Sequence, residues 1–205
     1  MDAFSTLTAT ALPLVRDNVD TDIIIPSREM KSVGKTGLTD GLFAGWRYTT
    51  IGGREENPEF ILNIRRDAQI WLAGENVGCG SSREHAVWAL HEYGFRAVVA
   101  PSFNPIFRNN CVRNGIVPAQ LPRDQVEALA AADRPVTVDL ESCTIRAAGV
   151  GPFAFTLDQD ALAMLRNGWD AIDLTLAGID AIRAFRTADQ KRRPWAYPSH
   201  MDTAA

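Results

Sequence analysis

The sequence predicts an α/β fold, and three observations carry that prediction. Apolar runs of strand length, "AQIWLAG" and "RAVVAP", enclose a stretch with helical spacing, "SSREHAVWALHEYG". Gly and Pro punctuate most changes of pattern. Hydrophobic residues make up 46% and charged residues 22% of 205, enough for a core of ordinary size. With no internal repeat and no low-complexity tract, residues 1–205 read as a single domain.

In chain order, residues 1–66 mix short apolar runs ("DIIIP", "FILNI"), which read as strands, with Gly-rich charged connections. The connection 27–45 is longer than a compact domain usually carries without a use, so it reads as a flexible or binding loop. "AQIWLAG" is then a buried strand. The helix after it buries Ala86, Val87, Leu90 and Tyr93 and closes at Gly94, where a left-handed residue is expected. Strand, helix and strand at that spacing predict a right-handed βαβ unit in a parallel sheet. "SFNPIFRNNCVRNG" is a short helix or turn before the strand "IVPAQL". "RDQVEALAAAD" reads as helix, "PVTVDLESCTIRA" and "PFAFTL" as strands, and "DQDALAMLRNG" and "IDAIRAFRTADQKRR" as helices, with a polar tail over about 189–205.

Composition excludes some function classes. Lys and Arg number 21 against 25 Asp and Glu, a net charge of −4, and that acid excess argues against a nucleic-acid partner. It leaves room for a local basic pocket. The start "MDAFSTLTATALPLV" lacks the basic n-region and apolar stretch of a signal peptide. No run nears the roughly 20 apolar residues of a membrane helix, so no membrane partner is expected. Cys79, Cys111 and Cys143 are odd in number and far apart, which suits reduced thiols in a cytoplasm and gives no spacing for a self-contained iron–sulfur cluster.

Residues 74–86, "GENVGCGSSREHA", concentrate chemistry. Gly78 and Gly80 lie between strand and helix, where backbone turns sharply or approaches a ligand. Ser81 followed by Glu84 three residues on fits a capping box, while the helix start presents N–H groups suited to an anion. The stretch therefore reads either as a capped helix or as an anion site with two hydroxyls and one guanidinium. Arg83 can hold a carboxylate through two parallel hydrogen bonds. Ser81 can take a proton only if its alkoxide is stabilised from outside the side chain. Phosphate-loop, dinucleotide and nucleophile-elbow patterns all fail here. Cys79, beside a helix start, is a lesser nucleophile candidate, and His85 reads as a packing or hydrogen-bonding residue. In "DNVDTDIIIP", Asp17, Asp20 and Asp22 lack the glycine and distal glutamate of a calcium loop and read as Asx-turns.

Taken with "DNVDTDIIIP" (17–26), "GLFAGWRY" (41–48), "APSFNPIFRNNCVRNGIVP" (100–118) and "IDAIRAFRTADQKRRPW", the signature "GCGSSREHA" resembles the small-subunit family of bacterial 3-isopropylmalate dehydratases, the swivelling domain of the aconitase superfamily. The resemblance spans nearly the whole chain. It implies a swivelling β/β/α domain and an obligatory large subunit that carries a 4Fe–4S cluster, with no cofactor or metal bound by this chain. It also implies a hydro-lyase acting on a small hydroxy-dicarboxylic acid. That enzyme converts (2S)-2-isopropylmalate through 2-isopropylmaleate to (2R,3S)-3-isopropylmalate in leucine biosynthesis.

By the same resemblance, Ser81 is the general base, Ser82 and Arg83 bind substrate, His85 supports the site, and Thr21 and Asp22 lie beside it. Loop 27–45 falls where relatives recognise the variable part of the substrate. There Arg28, Lys31 and Lys35 suit a second carboxylate, and Met30, Val33 and Leu38 suit an isopropyl group. The alternative is a related hydro-lyase for citraconate, dimethylmalate or homoaconitate-type acids. A non-catalytic binding subunit is a further reading, against which the intact Ser81, Ser82 and Arg83 count.

Overall fold

Among the described residues, eight strands divide between two sheets, and hydrophobic patterning decides which sheet each joins. In the computed structural model, which describes residues 1–30, 34–80 and 83–197, the strands are β1 (Thr6–Ala9), β2 (Ala11–Leu14), β3 (Ile70–Ala73), β4 (Ala97–Ala100), β5 (Val117–Gln120), β6 (Val136–Asp139), β7 (Thr144–Ala147) and β8 (Val150–Ala154). The order β2-β3-β4-β5 makes a parallel sheet, with Ile70 opposite Ala97 and Ala97 opposite Val117. All four residues of β3 and of β4 are buried, as expected of a parallel sheet covered on both faces. The order β1-β6-β7-β8 is antiparallel, and its β1 alternates between exposed and partly buried positions.

Helices follow from the same patterning. α1 (Thr21–Ile24), α2 (Ala44–Arg47) and α3 (Ile61–Ile64) are single turns. α4 (Glu84–Tyr93) buries Ala86, Val87 and Leu90 in one cluster with Trp71 and Ala73 of β3 and Val98 and Ala100 of β4. Full burial of a side chain such as Leu90 stabilises by about 1.5–3 kcal/mol. Gly94 ends α4 at φ 119°, as its position predicts. α5 (Pro105–Arg113) starts at Asn104, whose side chain accepts from the Ile106 and Phe107 N–H groups. α6 (Arg123–Ala131) packs on β2, β3 and β4 and also on β8. α7 (Gln159–Asn167) is capped by Asp158.

Two expected strands are helical turns instead. In "DIIIP", Asp20 Oδ1 accepts the Ile23 N–H at 2.7 Å and caps α1, so Ile24 and Ile25 are buried side by side without alternating. A good N-cap outweighs the strand preference of three isoleucines. In "FILNI", the Asn63 amide donates to the carbonyls of Arg47 (2.7 Å) and Asn57 (2.8 Å), and these tertiary bonds hold α3 as a turn. Within loop 27–45, the described residues include 3₁₀ turns at Ser27–Glu29 and Thr39–Gly41.

By their internal packing, residues 1–169 and 170–205 form two compact units. The second holds α8 (Ala171–Ala177), capped reciprocally by Asp170 and Asp173, and α9 (Ile179–Arg192). In α9 the buried Asp189 accepts from Arg193 (2.6 and 2.8 Å) and from the Tyr197 hydroxyl (2.9 Å). The expected tail therefore begins inside α9, and a 3₁₀ turn follows at Pro194–Ala196. No helix among the described residues is long and apolar enough to cross a membrane.

Candidate active site

The turn after β3 is threaded between two loops. From 17–22, the Asp17 carboxylate accepts the Glu75 N–H (2.8 Å), and the Val19 carbonyl accepts the Gly78 N–H (2.8 Å). Thr21 donates its N–H to the Cys79 carbonyl at 3.0 Å. From the other side, Ser102 Oγ accepts the Asn76 N–H (2.8 Å), and Phe107 lies against Gly78. A β-carbon at Gly78, where φ is 74°, would sit 2.0 Å from Phe107 Cγ. Gly80 also has positive φ, 89°. Both glycines are thus where the sequence requires them, for turning and for close approach.

At the end of this turn, Arg83 is the N-cap residue of α4 with extended φ and ψ. The helix begins at Glu84, and the Ser81 side of the expected capping box lies outside the described residues. Glu84 turns to Asn114, accepting its amide at 2.8 Å. Arg83 pairs with Asp22, which also accepts from the Ser27 hydroxyl at 3.1 Å. The Arg83 hydrogen bond is the main reason the Asp22 carboxyl lies below the usual carboxylate range. The three aspartates of 17–22 therefore differ in role: Asp17 caps the turn, Asp20 caps α1, and Asp22 holds the guanidinium.

Other expected site residues fall at varied distances from this pair. Thr21 lines one recess with Gly78, Arg83, Asn104 and Asn110. Asp22 lines a second, of about 410 Å³, together with Ile23, Pro26, Arg28 and Trp46. Arg28 also lies 3.5 Å from the buried carboxylate of Glu29, which Arg54 binds at 2.7 Å. Met30 is partly buried against the core and Leu38 is wholly buried. Lys35 donates to Asn114 Oδ1 at 3.1 Å and stands 5.5 Å over the Trp88 ring. The His85 ring also lies against Trp88, with ring centroids 4.6 Å apart. Ser81, Ser82, Lys31 and Val33 lie outside the described residues. Trp46 and Asn114 fall within the motifs "GLFAGWRY" and "APSFNPIFRNNCVRNGIVP" and Glu92 within the α4 stretch, but nothing in the sequence singled out any of the three for a role.

The thiols do not make a nucleophile or a ligand set here. Burial and the nearby Asp20 push the Cys79 thiol up, away from the reactive thiolate. Cys111 is fully buried and its thiol is pushed up further by desolvation. Among the described residues, no three His, Cys, Asp or Glu side chains gather to hold a metal ion.

Residues 1–124 match the model of the aconitase C-terminal domain. The chain is 51% identical over 205 residues to the 3-isopropylmalate dehydratase small subunit of Cupriavidus necator, covering 96% of this chain and 99% of that protein. It is 47% identical over 203 residues to the small subunit of the same name from Rhodospirillum centenum, covering 96% and 99%. Among solved structures, 3-isopropylmalate dehydratase of Methanocaldococcus jannaschii superposes with a TM-score of 0.64 at 25% identity, covering 88% of this chain and 99% of that one. With the glycine turn, the paired arginine and the parallel sheet on which they stand, these matches show that the chain belongs to the 3-isopropylmalate dehydratase small subunits, within the aconitase C-terminal domain family.

Proposed function

We propose that this chain is the small subunit of a hydro-lyase that isomerises (2S)-2-isopropylmalate to (2R,3S)-3-isopropylmalate through 2-isopropylmaleate, a step of leucine biosynthesis. The observation that carries the reading is Arg83, held by Asp22 at the start of α4, where a guanidinium is suited to grip a carboxylate. Ser81, two residues earlier, takes the proton from the carbon beside that carboxylate. Charge then builds on the carboxylate, and fixed donors aimed at it lower the barrier: Arg83, the first N–H groups of α4, and Ser82. His85 braces the helix start against Trp88. The recess beside Asp22, walled by Ile23, Pro26 and Trp46, supports an apolar substituent on the substrate.

The 4Fe–4S cluster of this reaction class belongs, in this reading, to the large subunit, where its open iron supplies Lewis acidity toward the leaving hydroxyl. This chain's thiols do not fit a cluster: Cys111 is wholly buried, Cys79 sits in the glycine turn, and Cys143 lies between β6 and β7 of the other sheet. The holoenzyme is a cytoplasmic complex of the two subunits, and neither half turns over substrate alone.

Co-expression with the large subunit, anaerobic cluster reconstitution and an ultraviolet assay for the unsaturated diacid test the reading. Turnover of isopropylmalate by the pair and by neither subunit is the expected result. Preferential turnover of citraconate or dimethylmalate would move the substrate while keeping the mechanism. In that assay Ser81→Ala and Arg83→Ala each lower kcat by about 10²–10³-fold, with the complex still assembled on size-exclusion chromatography. Near wild-type kcat in Ser81→Ala would remove the serine from the mechanism.

A further inference from the structure

Glu84, Trp88 and Glu92 are spaced i, i+4 and i+8, so they form one stripe along α4, the helix whose N-cap is Arg83. Residues 35–39 run along that stripe. At one end, Asn114 is buried and joins loop to helix: its Oδ1 accepts from Lys35 Nζ (3.1 Å), and its Nδ2 donates to Glu84 Oε1 (2.8 Å). In the middle, the Lys35 ammonium lies over Trp88. At the far end, Glu92 Oε1 accepts the Gly37 N–H (2.6 Å), and Oε2 accepts those of Leu38 (2.6 Å) and Thr39 (3.1 Å). Three successive N–H groups turned onto one side chain need a carboxylate with two accepting oxygens; an amide offers one. The clamp is reinforced from below, since Leu38 is wholly buried and Arg47 Nη1 donates to the Thr39 carbonyl at 2.9 Å.

We propose that Glu92 and Asn114 are positioning residues for substrate selection. They fix the register of loop residues 35–39 against α4, and so fix the selecting part of the loop relative to Arg83. The proposal rests on the reading of loop 27–45 as the element that meets the variable part of the substrate. Neither residue touches the reacting atoms. Their loss therefore loosens discrimination between diacids and leaves the proton transfer at Ser81 intact.

The test uses the reconstituted two-subunit enzyme with Glu92→Gln, which keeps shape but loses one acceptor, and Glu92→Asp, which keeps the carboxylate one methylene shorter. Two readouts are taken: amide hydrogen exchange at Gly37, Leu38 and Thr39, and KM and kcat for isopropylmalate and for citraconate, whose substituent is a single methyl. In Glu92→Gln the three amides exchange faster and KM for isopropylmalate rises about tenfold, while kcat and the citraconate KM stay within about twofold. Glu92→Asp falls between the variant and the wild type. Unchanged exchange at 37–39 would overturn the clamp. Faster exchange with both diacids impaired alike, or with kcat falling and KM unmoved, would overturn its role in selection. If the wild type itself prefers another diacid, the proposed substrate fails instead, and the same comparison is made with the preferred diacid against the methyl-substituted one.

Discussion

Gly78 and Phe107 show how narrow the tolerance is at this site. Alanine at 78 would meet the ring at 2.0 Å and adopt a φ of 74° that L side chains avoid. Overpacking and left-handed strain each cost about 1–3 kcal/mol, so Gly78→Ala lowers the stability of the isolated subunit by about 2–6 kcal/mol. A urea midpoint unchanged from wild type would show that the turn relaxes without loss. Asp22 acts at the same scale. It has no reacting role in this reading, yet it orients the one guanidinium that does, and a small misplacement of such a group lowers rate steeply. In the sequence Asp22 read with Asp17 and Asp20 as an Asx-turn residue, and the family resemblance placed it beside the site. Only the fold separates the one that pairs with Arg83 from the two that cap backbone.

Elements repeat the lesson with hydrogen bonds. α5 starts on Asn104, which accepts from Ile106 and Phe107 at 3.0 and 3.4 Å. Asn104→Ala removes that cap and lowers stability by about 1 kcal/mol, measured by denaturant unfolding. The loop clamp on α4 adds a pH dependence whose sign is fixed. Burial alone would raise the Glu92 carboxyl, but the N–H groups of Gly37, Leu38 and Thr39 outweigh it, and the group lies below its ordinary range. A depressed folded value means the stabilisation is present above the unfolded value and lost as pH falls through the folded one. Protection of amides 37–39, taken relative to the intrinsic exchange rate at each pH, therefore holds at neutral pH and is lost only under acid conditions below the usual carboxylate range. In Glu92→Gln that acid step disappears. Loss of protection beginning near pH 6–7 would point to a different group, since a histidine titrates there.

Across the whole molecule, every buried apolar side chain of the described residues lies between Phe4 and Leu165. α8 buries no residue and α9 buries only Asp189. Deleting 170–205 therefore leaves the core of residues 1–169 complete, and the truncated chain unfolds cooperatively with a stability within about 1 kcal/mol of the full chain. A non-cooperative transition would show that the core is incomplete without the second unit.

What the sequence by itself determined was whatever repeats at short range. The continuous apolar runs of β3 and β4, the buried stripe of α4, its Gly94 stop and the glycines of the 74–80 turn are all periodicities or backbone requirements confined to a few residues. The family, too, was legible, because several separated motifs stand in order along one chain. Tertiary structure alone decided that "FILNI" coils into a turn and that Arg83 faces Asp22. The physical reason is range. Asp22 and Arg83 are 61 positions apart, and Gly37 and Glu92 are 55 apart. Hydrogen bonds and ion pairs over such separations leave no local pattern to read. They form only once the parallel sheet has brought the segments together.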